Sequence, residues 1–298
     1  MEEPGLDLPS QTPLFHAQHA DRYRRQGNLR QFEAEYGCRL IVVGGPIYDF
    51  CVPMFEDALM MVGKDDHLCV MISSPGGDGE TALRMVRSAH ERCSELVVIV
   101  PDQAKSAATI FALGADRILM GTSSDLGPID PQISVASIGT AREPEFVAAR
   151  QIIEAVRYGE ESIKERPDTY PLHATLLGQI TGLTLQQAKF AMDRTSDLVI
   201  EMLESCPRRS SEAAAQIWDQ IKGPLFEDTT YHATSIGYKR AKELGLPVDY
   251  LKPDDKQWKD IWFVYCQYLQ LFRGGSIVYE GQVASHIVAP VSAPPPQA

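Results

Sequence analysis

The stretch ISSPGGDGETALRMV, residues 72–86, runs from the end of an apolar strand through Ser-Pro-Gly-Gly into a helical pattern. Two adjacent glycines at such a turn can expose backbone N–H groups in conformations that a β-carbon would obstruct. The same Gly-Gly pair also occurs in tight turns that have no function. The stretch therefore predicts a βα unit, and it offers Gly76 and Gly77 as a candidate anion or oxyanion pocket.

Apolar, β-branched runs recur on both sides of this stretch and are typical of buried strands. The four candidate strands are residues 38–45, 67–74, 96–100 and 116–120. Helical patterns separate them at residues 48–63, 78–93 and 106–115. This alternation predicts right-handed crossovers and a largely parallel sheet.

A second strand-to-helix junction, AKSAAT at residues 104–109, carries Ser106. Neighbouring parallel strands bring the loops at their carboxyl ends to the same edge of a sheet, so Ser106 is expected to lie near Gly76 and Gly77. A serine at a helix start is also a preferred N-cap. Taken together, the junctions supply a hydroxyl nucleophile and two oxyanion donors, the N–H of Gly76 or Gly77 and the N–H of Ala107.

The remainder of the chain is mostly helical in pattern. Residues 15–37 form a charged amphipathic pattern that could serve as a docking arm, and residues 261–272 are ambiguous between strand and helix, with an interface or lid role favoured. Thr184 and Ser211 are the expected N-caps of two later helices, and Gly245 is expected to close another. The later helical patterns cover residues 143–165, 173–182, 184–205, 211–223 and 235–251.

Composition limits the classes of partner. The chain has 298 residues and a net charge of −12, which gives no attraction to nucleic acid or to an anionic membrane. Its 6 cysteines form no CxxC pair and lie mostly in apolar segments, which favours reduced thiols and a cytoplasmic location over disulfides or a metal site. No apolar run is long enough for a membrane span, no signal peptide is visible, and no GxGxxG follows a strand. We expect no cofactor.

The segments SSPGGDGETALRM, AKSAATIFALGADRILMGTSSDLGPIDPQI, PLFHAQHADRYRRQ and TTYHATSIGYKRAKELGLPV resemble the serine dehydrogenase proteinase family. These proteins are soluble relatives of signal peptide peptidase in the Clp-protease/crotonase superfamily. The resemblance implies an α/β fold, a ClpP/crotonase-like spiral of βαβ units with a helical C-terminal half. It also implies a serine peptidase that forms homo-oligomers, with Ser106 as nucleophile and Gly76 and Gly77 at the oxyanion hole. Where the family usually has Ser-Ala-Gly, this chain has Ala107 and Ala108 after the serine, a difference that is expected to narrow the pocket.

The expected domain organisation follows from the resemblance and the composition. Residues 1–37 form an N-terminal arm, 38–250 the ClpP/crotonase-like protease domain and 251–282 a C-terminal extension. Residues 283–298 are proline-rich towards their end and are expected to be disordered. The substrate is expected to be a peptide or protein, and the need for an ATPase partner stays open.

The general base is the least determined part of the expected site. A serine hydroxyl needs a base within hydrogen-bond reach before it can act as a nucleophile. No histidine occupies the region where Clp proteases carry theirs; Asp130 lies there and would orient a base or hold a loop. Signal peptide peptidases use a lysine, and Lys189 has apolar neighbours and matches a family lysine. The rival histidines are His173 and His232.

Two other lysines are less suitable as bases. Lys105 is expected to diverge from the serine into solvent, and Lys164 lies in a charged helix end.

Two other functional classes stay open. One is a non-catalytic assembly protein of the same fold, in which Ser106 is only a helix cap. The other is a crotonase-like acyl-CoA enzyme, against which the negative net charge and Ser106 argue.

Overall fold

The computed structural model describes residues 11–135, 145–227 and 235–290. The helices are α1 (Pro13–Tyr36), α2 (Val52–Ala58), α3 (Gly79–His90), α4 (Ala107–Leu113), α5 (Ala149–Glu165), α6 (Tyr170–Leu176), α7 (Gly182–Glu204), α8 (Ser211–Ile221), α9 (Tyr238–Glu243), α10 (Lys256–Cys266) and α11 (Leu269–Arg273). The strands are β1 (Arg39–Gly44), β2 (His67–Ser73), β3 (Glu95–Val100), β4 (Gln103–Ala104), β5 (Arg117–Met120), β6 (Asp125–Leu126), β7 (Gln132–Val135), β8 (Glu145–Ala148), β9 (Val248–Tyr250), β10 (Ile277–Glu280) and β11 (Ser285–Val288).

The central sheet has the strand order β11-β10-β1-β2-β3-β5-β9. Strands β1, β2, β3, β5 and β9 are parallel, whereas β10 runs antiparallel to β1 and β11 antiparallel to β10. The register aligns a row of buried side chains across the five parallel strands: Ile41, Val70, Val98, Ile118 and Val248. The four strands predicted from the sequence and their parallel order are confirmed, and so is the α/β fold class.

Strand β9 was not predicted, because residues 235–251 have the pattern of one helix. Helix α9 ends early, and Gly245 follows it with a φ of 74°, a left-handed conformation that favours glycine. The predicted helix stop at Gly245 is therefore confirmed. Beyond Gly245, Val248–Tyr250 form the short strand β9, which extends the sheet beside β5.

Both faces of the sheet are covered by helices, as expected for a parallel sheet. Helices α2, α3, α4, α7 and α8 bury their apolar sides against one face, and α1, α10 and α11 cover the other. On the second face Leu29 and Phe32 of α1 are buried with Trp258 and Tyr265 of α10. Burying the Leu29 and Phe32 side chains stabilises the fold by about 1.5–3 kcal/mol each. The N-terminal helix therefore packs on its own chain instead of projecting as an arm.

The C-terminal region departs from the predicted boundaries. Part of the expected extension forms β10 within the central sheet, and residues 285–288, expected to be disordered, form β11. Pairing with β10 provides partners for the backbone groups of β11, which local composition does not reveal. Residues 291–298 of the expected tail lie outside the described residues. The ambiguous segment 261–272 is helical, in α10 and α11.

The helical half also differs in detail from the sequence pattern. Residues 145–148, predicted as helix, form β8 and pair with β7 in an antiparallel hairpin. Thr181 caps α7 and accepts a hydrogen bond from the N–H of Thr184, and Ser210 caps α8, so each predicted cap residue was misplaced. An N-cap hydroxyl must lie just before the first helical turn to reach the free N–H groups. No helix in the described ranges is both long and apolar enough to cross a bilayer.

Candidate active site

Ser106 has a strained backbone at the start of α4. Its φ of 49° and ψ of −117° make it the one non-glycine residue with a positive φ in the described part of the chain. Its N–H donates to the carbonyl of Pro128 at 3.2 Å, and its carbonyl accepts from the N–H of Ile110 at 3.0 Å. Its hydroxyl makes no capping hydrogen bond to the helix. Ser106 therefore does not act as a side-chain N-cap in this structure. Backbone strain of this kind clusters at functional sites.

Short β-bridges hold the turn that carries Ser106. The N–H of Ser74 donates to the carbonyl of Gln103, and the N–H of Lys105 donates back to the carbonyl of Ser74, both at 3.1 Å. On the other side, β4 pairs in parallel with β6. The buried hydroxyl of Thr109 lies 2.8 Å from the carbonyl of Ala104 and 2.9 Å from that of Gly127. The strained turn is thereby fixed between two neighbouring βα loops.

Gly76 lies against the serine. A β-carbon built on Gly76 would be 2.7 Å from the β-carbon of Ser106 and 2.8 Å from the carbonyl oxygen of Lys105. Its φ of 107° also lies in the region that favours glycine. The N–H of Gly76 donates to the hydroxyl of Ser74 at 3.1 Å, so Ser74 already occupies this donor.

The backbone of Gly77 is oriented differently from that of Gly76. It forms an isolated parallel bridge with Ile47, which uses the carbonyl of Gly76 and the N–H of Asp78, each at 2.8 Å. In an extended segment, the N–H of the central residue points to the opposite side from those two groups. The Gly77 N–H therefore points away from Ile47, and Gly77 lines the same cavity as Ser106.

This cavity has a volume of about 590 Å³ at the carboxyl edge of the sheet. Its walls combine aromatic, proline and polar side chains with the Gly77 backbone: Tyr48, Pro75, Gly77, Lys105, Ser106, Pro128, Asp130, Pro131, Gln132 and Phe146. Phe146 belongs to the β7–β8 hairpin and is 69% exposed, so the hairpin forms one rim of the cavity. The sequence prediction did not include this wall, because residues 145–148, which contain Phe146, were predicted as helix.

The predicted acidic residue lies in the cavity, whereas the predicted lysine does not. Asp130 is 8% exposed and lines the wall two residues beyond Pro128, the acceptor of the Ser106 N–H. Lys189 is exposed on α7 and is not among the residues that line the cavity. Lys164 is exposed, as predicted.

Lys105 contradicts the expectation of solvent exposure. Its side chain is 22% exposed, lines the cavity and forms an ion pair with Asp125. A β-carbon on Gly127 would be 2.1 Å from Cδ of Lys105, so the absence of a side chain at Gly127 opens the path to Asp125. Complementary charges in two βα loops that end at the same sheet edge are the sequence signal that could have revealed this pair.

The two histidines do not join Ser106 in the described structure. His173 is 6% exposed in α6, where its ring meets Tyr158 edge to face at 5.9 Å, and it is not a lining residue of the cavity. His232 lies outside the described residues. Asp130, Lys105 and Tyr48 are therefore the titratable side chains that the described part of the chain places in the cavity wall.

The cysteines lie apart from this cavity, and all 6 are free thiols, as predicted. Burial raises the pKa of Cys206 above the ordinary thiol value and that of Cys93 to about 12, which disfavours reactive thiolates. Donor atoms of His90, Asp116 and Cys206 lie within 4.8 Å of one another. The Asp116 carboxylate accepts hydrogen bonds from the N–H of Leu96 and from the Cys206 thiol, so its oxygens already have protein partners.

Comparison with known families identifies the segment that carries these loops. Residues 37–156 match the family model of the ClpP-like SDH-type serine proteinases. These residues are similar to that family, and they make up less than half of the chain. The matched residues contain Ser106, Gly76, Gly77 and Asp130, and Lys189 lies outside them. The predicted resemblance is thereby confirmed, and the SDH-type family is one of serine-type peptidases.

The chain is also similar to two uncharacterized proteins of Methanocaldococcus jannaschii. MJ0137 is 29% identical over 218 residues, which cover 71% of this chain and 65% of the relative. MJ1495 is 26% identical over 247 residues, which cover 76% of this chain and 73% of the relative. The chain thus spans less than two thirds of the length of MJ0137.

Solved peptidase structures show only a distant likeness. The membrane-bound stomatin-specific protease 1510-N is 13% identical, with a TM-score of 0.36 over 72% of this chain and 78% of that chain. A peptidase from Plasmodium falciparum is 12% identical, with a TM-score of 0.38 over 72% of this chain and 95% of that chain. These scores are too low to support an inference about this chain.

Proposed function

We propose that this protein is a serine peptidase that acts through an acyl-enzyme on Ser106. The observation that carries the proposal is the strained Ser106 backbone, which presents a hydroxyl unused as a helix cap to a cavity that Gly77 also lines. A strand-to-helix turn of this kind exposes a nucleophile at the carboxyl edge of a sheet. The family of residues 37–156 supports the same chemistry.

In the acylation step, Ser106 Oγ forms a bond to the carbonyl carbon of the scissile peptide while a general base takes the hydroxyl proton. The tetrahedral intermediate then breaks its C–N bond, and the leaving amine receives the proton. Water repeats the sequence on the ester and releases the acid. The substrate is a peptide or protein, and Tyr48, Phe146 and the prolines of the cavity wall offer it an apolar contact surface.

The oxyanion donors in this proposal are the N–H groups of Gly77 and Ala107. Gly77 faces the cavity side of its bridge, whereas the N–H of Gly76 is occupied by Ser74. Ala107 N lies 3.3 Å from the β-carbon position of Gly76, so both donors flank the serine. Loss of one such donor commonly costs about 10²–10³ in kcat. In this arrangement Gly76 leaves room beside Ser106, and the Gly77 N–H donates a hydrogen bond to the oxyanion.

The proposed base is a lysine, and the sequence and the geometry favour different candidates. Lys189 is the candidate from the family position, but it is exposed and would have to approach Ser106 by a rearrangement. Lys105 already lines the cavity, but Asp125 holds its amine. Asp130, buried in the wall, is proposed to orient the base. Catalytic hydrogen bonds are often completed only with substrate bound, so both lysines are tested.

A fluorophosphonate probe tests the proposal on the full chain. We expect stoichiometric labelling of the wild type by intact mass and complete loss in Ser106→Ala, with a labelling rate that increases with pH as the base loses its proton. Loss in Lys189→Met or in Lys105→Met identifies the base, and exposed Lys164→Met is the matched control. A folded wild type that stays unlabelled at every pH contradicts the peptidase and supports a non-catalytic assembly protein. Acyl-CoA binding by that unlabelled protein would support the crotonase-like alternative.

We also propose that the protein is a homo-oligomer in the cytoplasm. Large apolar side chains are 58–69% exposed along helices α5 to α7, at Tyr158, Tyr170, Leu172, Leu176, Leu183 and Phe190. Exposed large apolar side chains support association when they lie together on a surface, and free thiols suit a reducing compartment. Light scattering of the wild type and of a Leu176→Asp/Phe190→Asp variant tests the assembly. A monomeric wild type would contradict it.

A further inference from the structure

Tyr265 of α10 reaches the carboxyl edge of the sheet from the face opposite the Ser106 helix. The side chain is 3% exposed, and its hydroxyl donates to Oδ2 of Asp102 at 3.0 Å. Asp102 lies between β3 and β4, and Ser73, the last residue of β2, also interacts with the phenol. One hydroxyl therefore connects the ends of two neighbouring strands, whose loops carry Gly77 and the proposed nucleophile.

The contact with Asp102 leads directly to the serine turn. The carbonyl of Asp102 accepts the N–H of Asp125 at 2.8 Å, and the next residue, Gln103, accepts the N–H of Ser74 at 3.1 Å. Asp125 in turn forms the ion pair with Lys105, the residue before the proposed nucleophile. A displacement of Asp102 would therefore disturb the backbone connections on both sides of the turn.

The ring of Tyr265 is held firmly by its neighbours. It packs against Trp262 and Phe272, with ring centroids 5.3 Å and 5.9 Å away. Helix α10 is itself anchored, because Trp258 fills the space beside Gly121 that a β-carbon would need. The phenol oxygen is therefore a fixed point from which the two loops can be held.

Burial raises the pKa of the Tyr265 phenol to about 12, with a further contribution from Asp102, whereas Ser73 opposes the shift. The phenol thus keeps its proton at neutral pH, and a hydrogen bond to a carboxylate is stronger than one between neutral groups. We propose that Tyr265 is a positioning residue that holds the Gly77 and Ser106 loops at the separation that acylation requires. This inference rests on the proposed acyl-enzyme function of Ser106.

The rate of fluorophosphonate labelling of the full chain tests the proposal. Tyr265→Phe removes only the hydroxyl and keeps the ring, so kinact should decrease by about 2–30-fold. The KI of the probe should stay unchanged, because the cavity walls remain intact. The matched control is Tyr268→Phe, which removes the next buried phenol hydroxyl along the chain, beside Glu280 and not beside the two loops. It should label like the wild type.

A double-variant comparison separates positioning through Asp102 from a general loss of stability. Asp102→Ala should also lower kinact, and the double variant with Tyr265→Phe should be no slower than Asp102→Ala alone, because both residues act through one contact. Urea unfolding first establishes that each variant is fully folded under the labelling conditions. A wild-type kinact in Tyr265→Phe, or effects that multiply in the double variant, overturns this proposal alone. A wild type that is not labelled overturns the proposed function itself, and this inference with it.

Discussion

The β-carbon position of Gly76 lies 2.7 Å from the β-carbon of Ser106, so the glycine and the proposed nucleophile occupy adjoining space. Real β-carbons do not approach so closely, and the Gly76 φ of 107° disfavours any side chain. The turn can hold Ser106 in its strained conformation only while residue 76 lacks a side chain.

We therefore expect Gly76→Ala to lose fluorophosphonate labelling and to reduce the free energy of unfolding by about 1–3 kcal/mol. The matched control is Gly182→Ala, because nothing lies within 4 Å of a β-carbon at Gly182. Labelling kinetics and urea unfolding check both variants. Normal labelling of Gly76→Ala would show that the close approach has no role in the site.

The buried Thr109 hydroxyl is expected to position Ser106 through the backbone. Thr109→Val leaves the carbonyls of Ala104 and Gly127 without this donor, at a cost of about 1–3 kcal/mol. Because these carbonyls belong to the two loops that hold the serine turn, the labelling rate should fall as well. The control is Thr175→Val on exposed α6, which should change neither quantity. Reduced stability with an unchanged rate would make Thr109 purely structural.

The Arg25–Glu280 ion pair joins the first helix to strand β10. Arg25 Nε donates to Glu280 Oε2 at 2.7 Å, and the two side chains are 9% and 0% exposed. Burial opposes the charge on Arg25, but the Glu280 carboxylate outweighs it and raises the pKa of the guanidinium. Removing one partner leaves a buried charge, so Arg25→Met should reduce the free energy of unfolding by about 3–5 kcal/mol.

The control for this pair is the exposed ion pair between Arg24 and Asp21 on the same helix, with side chains 67% and 77% exposed. Arg24→Met should cost about 0–1 kcal/mol. Urea unfolding compares the two variants. Equal losses would mean that burial of the Arg25 pair contributes little.

Stability should decrease at alkaline pH through Tyr36. Its hydroxyl donates to Asp260 Oδ2 at 2.6 Å, and burial, followed by this carboxylate, raises its pKa to about 12. An unfolded tyrosine has a pKa of about 10. The folded protein therefore holds this proton more tightly, and the resulting stability is present below pH 10 and lost as the pH rises towards 12.

Unfolding experiments from pH 8 to 12 on the wild type and Tyr36→Phe should show a difference that shrinks with rising pH. Other tyrosines contribute to both proteins and cancel in this difference. A difference that is constant across the range would show that Tyr36 does not titrate in the folded protein.

The local sequence was sufficient to predict the elements that have a clear hydrophobic pattern. The four apolar runs became β1, β2, β3 and β5 in a parallel sheet, because continuous β-branched runs have to be buried on both faces. Gly76, Gly77 and Ser106 could be predicted to lie together because they follow neighbouring strands at their carboxyl ends. In each case the information lies within a few residues or follows from strand order.

Other features required the tertiary structure, because their stability comes from residues distant in the chain. Strand β11 forms by pairing with β10, and β8 forms by pairing with β7, although neither segment has a local strand pattern. Lys105 turns towards Asp125 because Gly127 leaves room, while Lys189 lies on the exposed side of α7. The sequence alone determined the parallel sheet and the position of Ser106 at its edge. Only long-range packing decided which side chains surround that serine, since a side chain's direction depends on neighbours that local periodicity does not specify.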